Sequence, residues 1–337
     1  MLITIPVAVY NGEKYLVRCL DSVLGQSSED WRLICVDDCS TDNSINILQD
    51  YAEKDARIKI IRKEKNEGGP KARMTAYREA QTEYVFTGLD QDDYVEKDFV
   101  AKLGEEARHS NADIILCDWM LEKSDGEFKS FHEAHGRGAG ERITGSDAFA
   151  ATFPSWSIHL IGLWSRHLVD RFAIREEYAF NNYNADEFLS RIIAFNAQNI
   201  YFGSAKYFHC RNTESVTTKP STRKILALQT DEELLSYAIK QGCERKIIKA
   251  ILLSERKDLA RVFKMFPHVR FSTQGTKTKT TLIKKIKAHF DVFKKNMRRE
   301  YTSEFSDVFD REIILAILTM RYIKMRIKIL KNGLNQS

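Results

Sequence analysis

The first hundred residues alternate between two hydrophobic periods. "LITIPVAVY" (residues 2–10) is apolar and β-branched, and "GEKYLVRCLDSVLGQ" then spaces Tyr15, Leu16, Cys19, Leu20, Val23 and Leu24 along one helical face. The first stretch predicts a strand and the second an amphipathic helix. The alternation continues through "WRLICVDD" (strand), "STDNSINILQDYA" (a helix entered through Ser and Asp caps) and "RIKIIR" (strand). "GGPKARMTAYREA" follows as a helix with Pro70 in its first turn, and "EYVFTGLD" as a fourth strand. Strands alternating with helices predict an α/β fold, a mostly parallel central sheet flanked by helices, with ligands bound at the carboxyl ends of its strands.

One such end is crowded with charge. "FTGLDQDDYVE" (residues 86–96) places Asp90, Asp92 and Asp93 within four positions, where repulsion and desolvation both oppose ionisation. Two readings fit: a solvated turn that caps the helix of "YVEKDFVAKLGEEA", or an oxygen-rich site for Mg²⁺ or Mn²⁺, ions that bridge a few carboxylates to nucleotide phosphates. "VDDCSTDNS" brings Asp37 and Asp38 to the end of the second strand, which favours the second reading.

Composition narrows the class. With 337 residues, 43% of them hydrophobic, the chain can bury a core and is long enough for two domains, or one and an extension. Six cysteines are scattered without metal spacing, and no basic leader opens the N-terminus, so free thiols in a reducing cytosol are expected. The net charge of +5 conceals an asymmetry: residues 1–218 carry 25 Lys+Arg against 35 Asp+Glu (−10), and residues 219–337 carry 27 against 12 (+15). That second region is helical in pattern and has no run of about 20 apolar residues to span a bilayer. "TLIKKIKAHFDVFKKNMRRE" and "ILAILTMRYIKMRIKIL" read as basic amphipathic helices, suited either to an anionic membrane surface or to a bundle packed on the first region or on a twin subunit.

Four segments in order, "IPVAVYNGEKYLVRCLDSVLGQ", "ICVDDCSTDNS", "NEGGPKAR" and "LDQDD", resemble the family 2 glycosyltransferases of bacterial surface-polysaccharide synthesis, which have the GT-A nucleotide-diphospho-sugar transferase fold. The resemblance implies a GT-A domain over 1–218, with a nucleotide-binding half (1–110) and an acceptor-binding half (111–218), followed by the helical basic region 219–337. It implies an inverting, metal-assisted single displacement that moves a sugar from a nucleotide-sugar donor, UDP-linked, to a glycan or lipid-linked glycan in lipopolysaccharide, capsule or a similar polymer. The cofactor expected is Mn²⁺ or Mg²⁺. Nucleic acid is not an expected partner, and the expected location is the cytoplasmic face of the membrane, with a homo-oligomer as the other use of the basic region.

Residue by residue, the resemblance places Pro6, Ala8, Tyr10 and Asn11 against the nucleotide, Glu13 at the ribose or base, and Asp38 as acceptor of the uracil N3–H. Asn66, Gly68, Lys71 and Arg73 fall near the diphosphate, with Gln91 in the donor site. Asp90 falls at the ribose or metal, Asp92 on the metal, and Asp93 in support. Asp186 or Glu187, opening an apolar helix in "NNYNADEFLSRIIAFNAQ", is the expected base, with Asp186 preferred. Arg211 and Ser215 match a segment that closes over the diphosphate, and His209 is either a late metal ligand or a packed histidine. Trp156, His159 and Trp164 suit either sugar stacking or the core. His132 and His135 sit in a Gly-rich stretch read as a loop, with no role assigned. Two other classes fit less of the sequence: a sugar nucleotidyltransferase, whose Gly-rich basic loop after the first strand is missing, and a non-enzymatic polyanion-binding protein, which leaves the acidic strand ends unexplained.

Overall fold

The computed structural model describes residues 3–181, 183–212 and 226–265. The expected order appears as β1 (Ile3–Val9), α1 (Leu16–Leu24), β2 (Trp31–Asp37), α2 (Ser44–Lys54), β3 (Ile58–Arg62), α3 (Gly69–Glu79) and β4 (Tyr84–Phe86). Then come β5 (Tyr94–Val95), α4 (Phe99–Ser110), β6 (Ile114–Glu122), β7 (Phe128–Ser130), α5 (Phe131–Ala134) and β8 (Arg142–Ile143). The α/β unit is completed by α6 (Gly145–Ala151), β9 (Gly162–Ser165), α7 (Arg166–Leu168), α8 (Ala185–Asn196) and β10 (Ile200–His209). Two further helices follow, α9 (Leu226–Lys240) and α10 (Arg245–Met265). By internal contact the chain divides into residues 1–219 with 243–250, and residues 220–242 with 251–337. Within the second unit, α9 buries Leu228, Leu234, Leu235 and Ala238. The basic helices expected over 281–300 and 314–330 lie outside the described residues. Among those that are described, no helix is long and apolar enough to cross a membrane.

Alternation along β1 builds the core. Ile3, Ile5, Val7 and Val9 share one face and pack with Leu16, Cys19, Leu20 and Val23 of α1 and with Phe99 and Leu103 of α4. The α1 stripe is the predicted one, with Tyr15 and Leu24 at its margins. On the other face α3 lies against β1 and β2 through the fully buried Ala72 and Ala76. Because both faces are covered, β1 is apolar almost throughout. All six cysteines are free, and burial pushes the Cys35 thiol up to about 12.

The sheet runs β3-β2-β1-β4-β9-β6-β10-β5. β1 to β4 are mutually parallel, as are β6 and β10, but β9 enters antiparallel between β4 and β6, and β5 lies antiparallel on β10. The fourth strand was expected to reach Asp90 and stops at Phe86. A Cβ on Gly88 would stand 2.2 Å from Ile161 Cγ2, so the approach to β9 occupies that space, and Thr87 N–H donates to Gly162 C=O instead. The chain returns to the sheet through a single bridge, Ala8 to Asp90.

Three further features take definite form. α4 starts at Phe99 behind Asp98 with no side-chain cap, so Asp90, Asp92 and Asp93 do not cap it. Trp164 and His159 are buried, and the Arg191 guanidinium lies 4.1 Å over the Trp156 ring, so these aromatics belong to packing. The stretch around His132 is the short helix α5, and buried His132 stacks on His159 with centroids 5.2 Å apart.

Candidate active site

The carboxyl ends of β1, β2 and β4 meet at one rim, and the loops leaving them are stitched together. Asn11 takes a left-handed conformation (φ 49°), so its N–H donates to Ser40 Oγ at 3.0 Å while its Oδ1 accepts from Thr41 N–H at 2.8 Å. Gly12 N–H donates to Ser44 Oγ at 2.8 Å. Tyr10 N–H donates to Gln91 Oε1 at 2.9 Å, and Gln91 Nε2 returns to Tyr10 C=O at 3.1 Å. A Cβ on Gly12 would stand 2.4 Å from Gln91 Oε1, which explains the glycine. Tyr10 itself is exposed at the rim, and Ala8 is half-buried beside Asp90.

Several expected donor contacts have other partners. Pro6 is buried within β1, two residues past the last β1–β4 pair, and faces the interior. Glu13 is exposed; its Oε2 accepts from Asn43 N–H at 2.9 Å, and its own N–H donates to Asp42 at 3.1 Å. Asp38, expected to accept from uracil, is 2% exposed and accepts from Glu67 N–H at 3.0 Å and Gly68 N–H at 2.7 Å, with Lys63 Nζ at 3.7 Å. Its charge holds the 67–68 loop, where Gly68 takes φ 91° to enter α3. Lys71 faces Glu67 at 3.6 Å, and Asn66 is exposed.

The three aspartates divide their work. Asp93 is fully buried and accepts from Tyr207 Oη–H, from His209 Nδ1 at 3.0 Å and from Cys210 N–H at 2.8 Å. Burial raises its carboxyl above the ordinary value, opposed by the His209 bond. Burial also pulls His209 down, but the bond and field of Asp93, with the fields of Asp90 and Asp92, outweigh it and hold the imidazole above its usual range. His209 is therefore the partner of Asp93 through Nδ1, and its side chain stays 42% exposed. Asp92 keeps Oδ2 on Asn212 Nδ2 at 2.8 Å, while Arg18 donates to its carbonyl. Asp90 receives Arg73. Each negative charge thus has a donor of its own, which offsets the crowding. Tyr207 and Asn212 were not found from sequence. Tyr207 and His209 stand two apart on one strand and hence on one face, a spacing that points both side chains toward a single partner.

Across the rim, α8 opens with Asp186 and Glu187 in its first turn, where the helix N-terminus favours negative charge. Arg73 Nη1 donates to Asp186 Oδ2 at 3.0 Å, and Glu187 accepts from Arg191 at 3.3 Å, four residues on. Beside Asp186 lies a small crevice of about 20 Å³ lined by Met74, Tyr77, Tyr178 and Leu189 among others. Arg211 is exposed, and its N–H donates to Glu122 at 2.7 Å. Ser215 lies outside the described residues. Among the described residues no three His, Cys, Asp or Glu side chains are grouped to hold a metal. Two half-exposed carboxylates, Asp90 and Asp92, nevertheless fit Mg²⁺ or Mn²⁺, which take one or two protein carboxylates and complete their shell with substrate phosphates and water.

Residues 4–162 match the model of the family described as Glycosyl transferase family 2. EpsJ of Bacillus subtilis strain 168, described as an uncharacterized glycosyltransferase, is 38% identical over 37% of this chain and 36% of its own length. TarS of Staphylococcus aureus, described as poly(ribitol-phosphate) beta-N-acetylglucosaminyltransferase, is 33% identical over 34% of this chain and 20% of its own. The chain thus matches about a third of one relative's length and a fifth of the other's. The structure of TarS 1–349 in complex with UDP-GlcNAc superposes with TM-score 0.55 at 19% identity, over 91% of this chain and 95% of that one. The mannosyltransferase PcManGT from Pyrobaculum calidifontis, in complex with GDP-Man and Mn²⁺, gives 0.52 at 16% identity over 89% and 88%. At such identities the likeness concerns the fold, a GT-A-type mixed but mostly parallel sheet flanked by helices.

Proposed function

We propose, from the match of residues 4–162 to the Glycosyl transferase family 2 model, that the chain is an inverting glycosyltransferase moving a sugar from a UDP-sugar to a hydroxyl of a bacterial surface glycan. The observation that carries the reading is the meeting of Asp90, from the nucleotide half, with Asp186, from the acceptor half, on Arg73. Inversion by one displacement needs a base on the acceptor side and leaving-group stabilisation on the donor side, and the two carboxylates supply these from opposite walls. Asp186 accepts the proton of the attacking hydroxyl. Asp92 and Asp90 hold a divalent metal, which when bound supplies Lewis-acid stabilisation of the departing diphosphate. Exposed Tyr10 and the Gln91 clamp form the floor for the nucleotide. The UDP-GlcNAc held by TarS and the Mn²⁺ of PcManGT support donor class and metal.

The basic balance of residues 219–337 supports an acceptor at an anionic membrane surface, where Lys and Arg near the headgroups each contribute about 1 kcal/mol.

The test is a panel of UDP- and GDP-sugars offered to the full chain with Mn²⁺, with Mg²⁺, or with chelator. Metal-dependent UDP release from one UDP-sugar is expected. No nucleotide released or bound under any condition overturns the reading.

A further inference from the structure

Arg73 is where the site's two walls join. Its Nη2 donates to Asp90, 17 residues away in sequence, and its Nη1 to Asp186, 113 residues away. Both terminal nitrogens are thereby committed to protein carboxylates, and the fork that was expected to face the diphosphate spans the cleft instead. The cation is the most covered member of the trio: the Arg73 side chain is 20% exposed, against 42% for Asp90 and 45% for Asp186. Both carboxylates are thus about twice as exposed as the guanidinium that joins them. Tyr77, one turn further along α3, is buried beside the group, and desolvation keeps its phenol protonated. The Asp90 charge, with that of Asp186, holds Arg73 firmly cationic against its own burial. Arg73 stands on α3, whose fully buried Ala72 and Ala76 fix the helix on β1 and β2, so the fork starts from a rigid base.

On the reading of Asp186 as the base, we propose that Arg73 is a positioning residue: it registers the Asp186 carboxylate against Asp90, so that base and donor end keep a set separation. A planar guanidinium reaches two carboxylates with two nitrogens at a fixed angle, which a lysine ammonium cannot reproduce. Removing the fork leaves both carboxylates in place and lets Asp186 swing. Misplacement of a catalytic group by about 1 Å costs roughly 10²-fold in rate with little effect on binding.

The experiment uses the full chain, UDP with Mn²⁺ as the binding probe, and UDP release from the UDP-sugar that the panel selects as the turnover probe. Arg73→Lys is expected to lower turnover about 10²-fold while UDP·Mn²⁺ affinity stays within about threefold. In Arg73→Ala, added guanidinium is expected to restore turnover at least about tenfold. In an Asp186→Asn background, Arg73→Lys should cost nothing further, because the residue acts through the carboxylate already removed. Wild-type turnover in Arg73→Lys, a parallel loss of UDP·Mn²⁺ affinity, or a full multiplicative loss in the double variant overturns the positioning role. An Asp186→Asn variant with full turnover, or a wild-type chain that releases no UDP, instead overturns the reading of the base and this role with it.

Discussion

Gln91 gives both atoms of its carboxamide to one residue, Tyr10, accepting from its N–H at 2.9 Å and donating to its C=O at 3.1 Å. The pair extends the hydrogen bonding of β1 beyond its last residue and ties the acidic loop to the nucleotide rim. The clamp fits only above a residue without a side chain, and Gly12 provides that. Gly12→Ala is therefore expected to displace Gln91 and to destabilise the chain by about 1–2 kcal/mol. In a Gln91→Ala background the same change should cost much less. Urea unfolding of the three variants measures both; equal costs in the two backgrounds would count against the clamp.

Asp92 and Asp93 are neighbours with opposite expected phenotypes. Asp93→Asn puts a carboxamide among three donors in a fully buried site and is expected to cost about 2–4 kcal/mol of stability. Asp92→Asn should leave the unfolding midpoint nearly unchanged and abolish the Mn²⁺ dependence of UDP binding, as read by calorimetry.

Between the two candidate bases, the structure separates a carboxylate turned to the site from one held by its own helix. Asp186→Asn is expected to lower turnover by roughly two to four orders of magnitude, the range for loss of a general base, with UDP binding intact. Glu187→Gln, whose partner is Arg191, should cost less than about tenfold. Reversal of that order under steady-state assay would move the base to Glu187.

Acid should weaken the fold through His159. Burial holds its pKa well below the ordinary value, reinforced by the field of His132. The unfolded histidine titrates near about 6.5, so the unfolded chain binds the proton more tightly. Stability is full above that pH and falls below it, by up to about 1.4 kcal/mol per pH unit for this one group. Denaturant titrations at pH 7.5 and 5.5 are expected to show a shallower loss in His159→Gln than in the parent chain.

For the basic region, the full chain is expected to sediment with anionic liposomes at low salt and to be released at high salt. Equal sedimentation with neutral and anionic vesicles, or none with either, would turn the reading toward an oligomer contact.

Legibility in the sequence followed the range of the forces involved. The first seven elements could be read because each is set by its own period and its own turn residues. β9 could not: the four residues Gly162–Ser165 carry no distinguishing pattern, and they become a central strand only because β4 and β6 lie on either side. The site shows the same division. Asp90, Asp92 and Asp186 were found as residue types in motif order, but their partners come from elsewhere in the chain. Their neighbours show the same limit: nothing in "VDDCS" reveals that the 67–68 loop turns its amides onto Asp38, and nothing in "FHCRN" reveals that His209 faces Asp93. The Arg73 pairing with Asp90 and Asp186 was equally hidden, since a motif fixes a residue but not the direction of its fork.

The late position of β9 has a consequence for how the chain is made. Until residue 165 has been synthesised, the nascent sheet ends at β4, whose free edge is a template for pairing with another chain. A nucleotide-binding half released at residue 110 would keep that edge open permanently. A boundary at residue 110 is therefore not a boundary of folding: the strand that closes the first four is encoded after it.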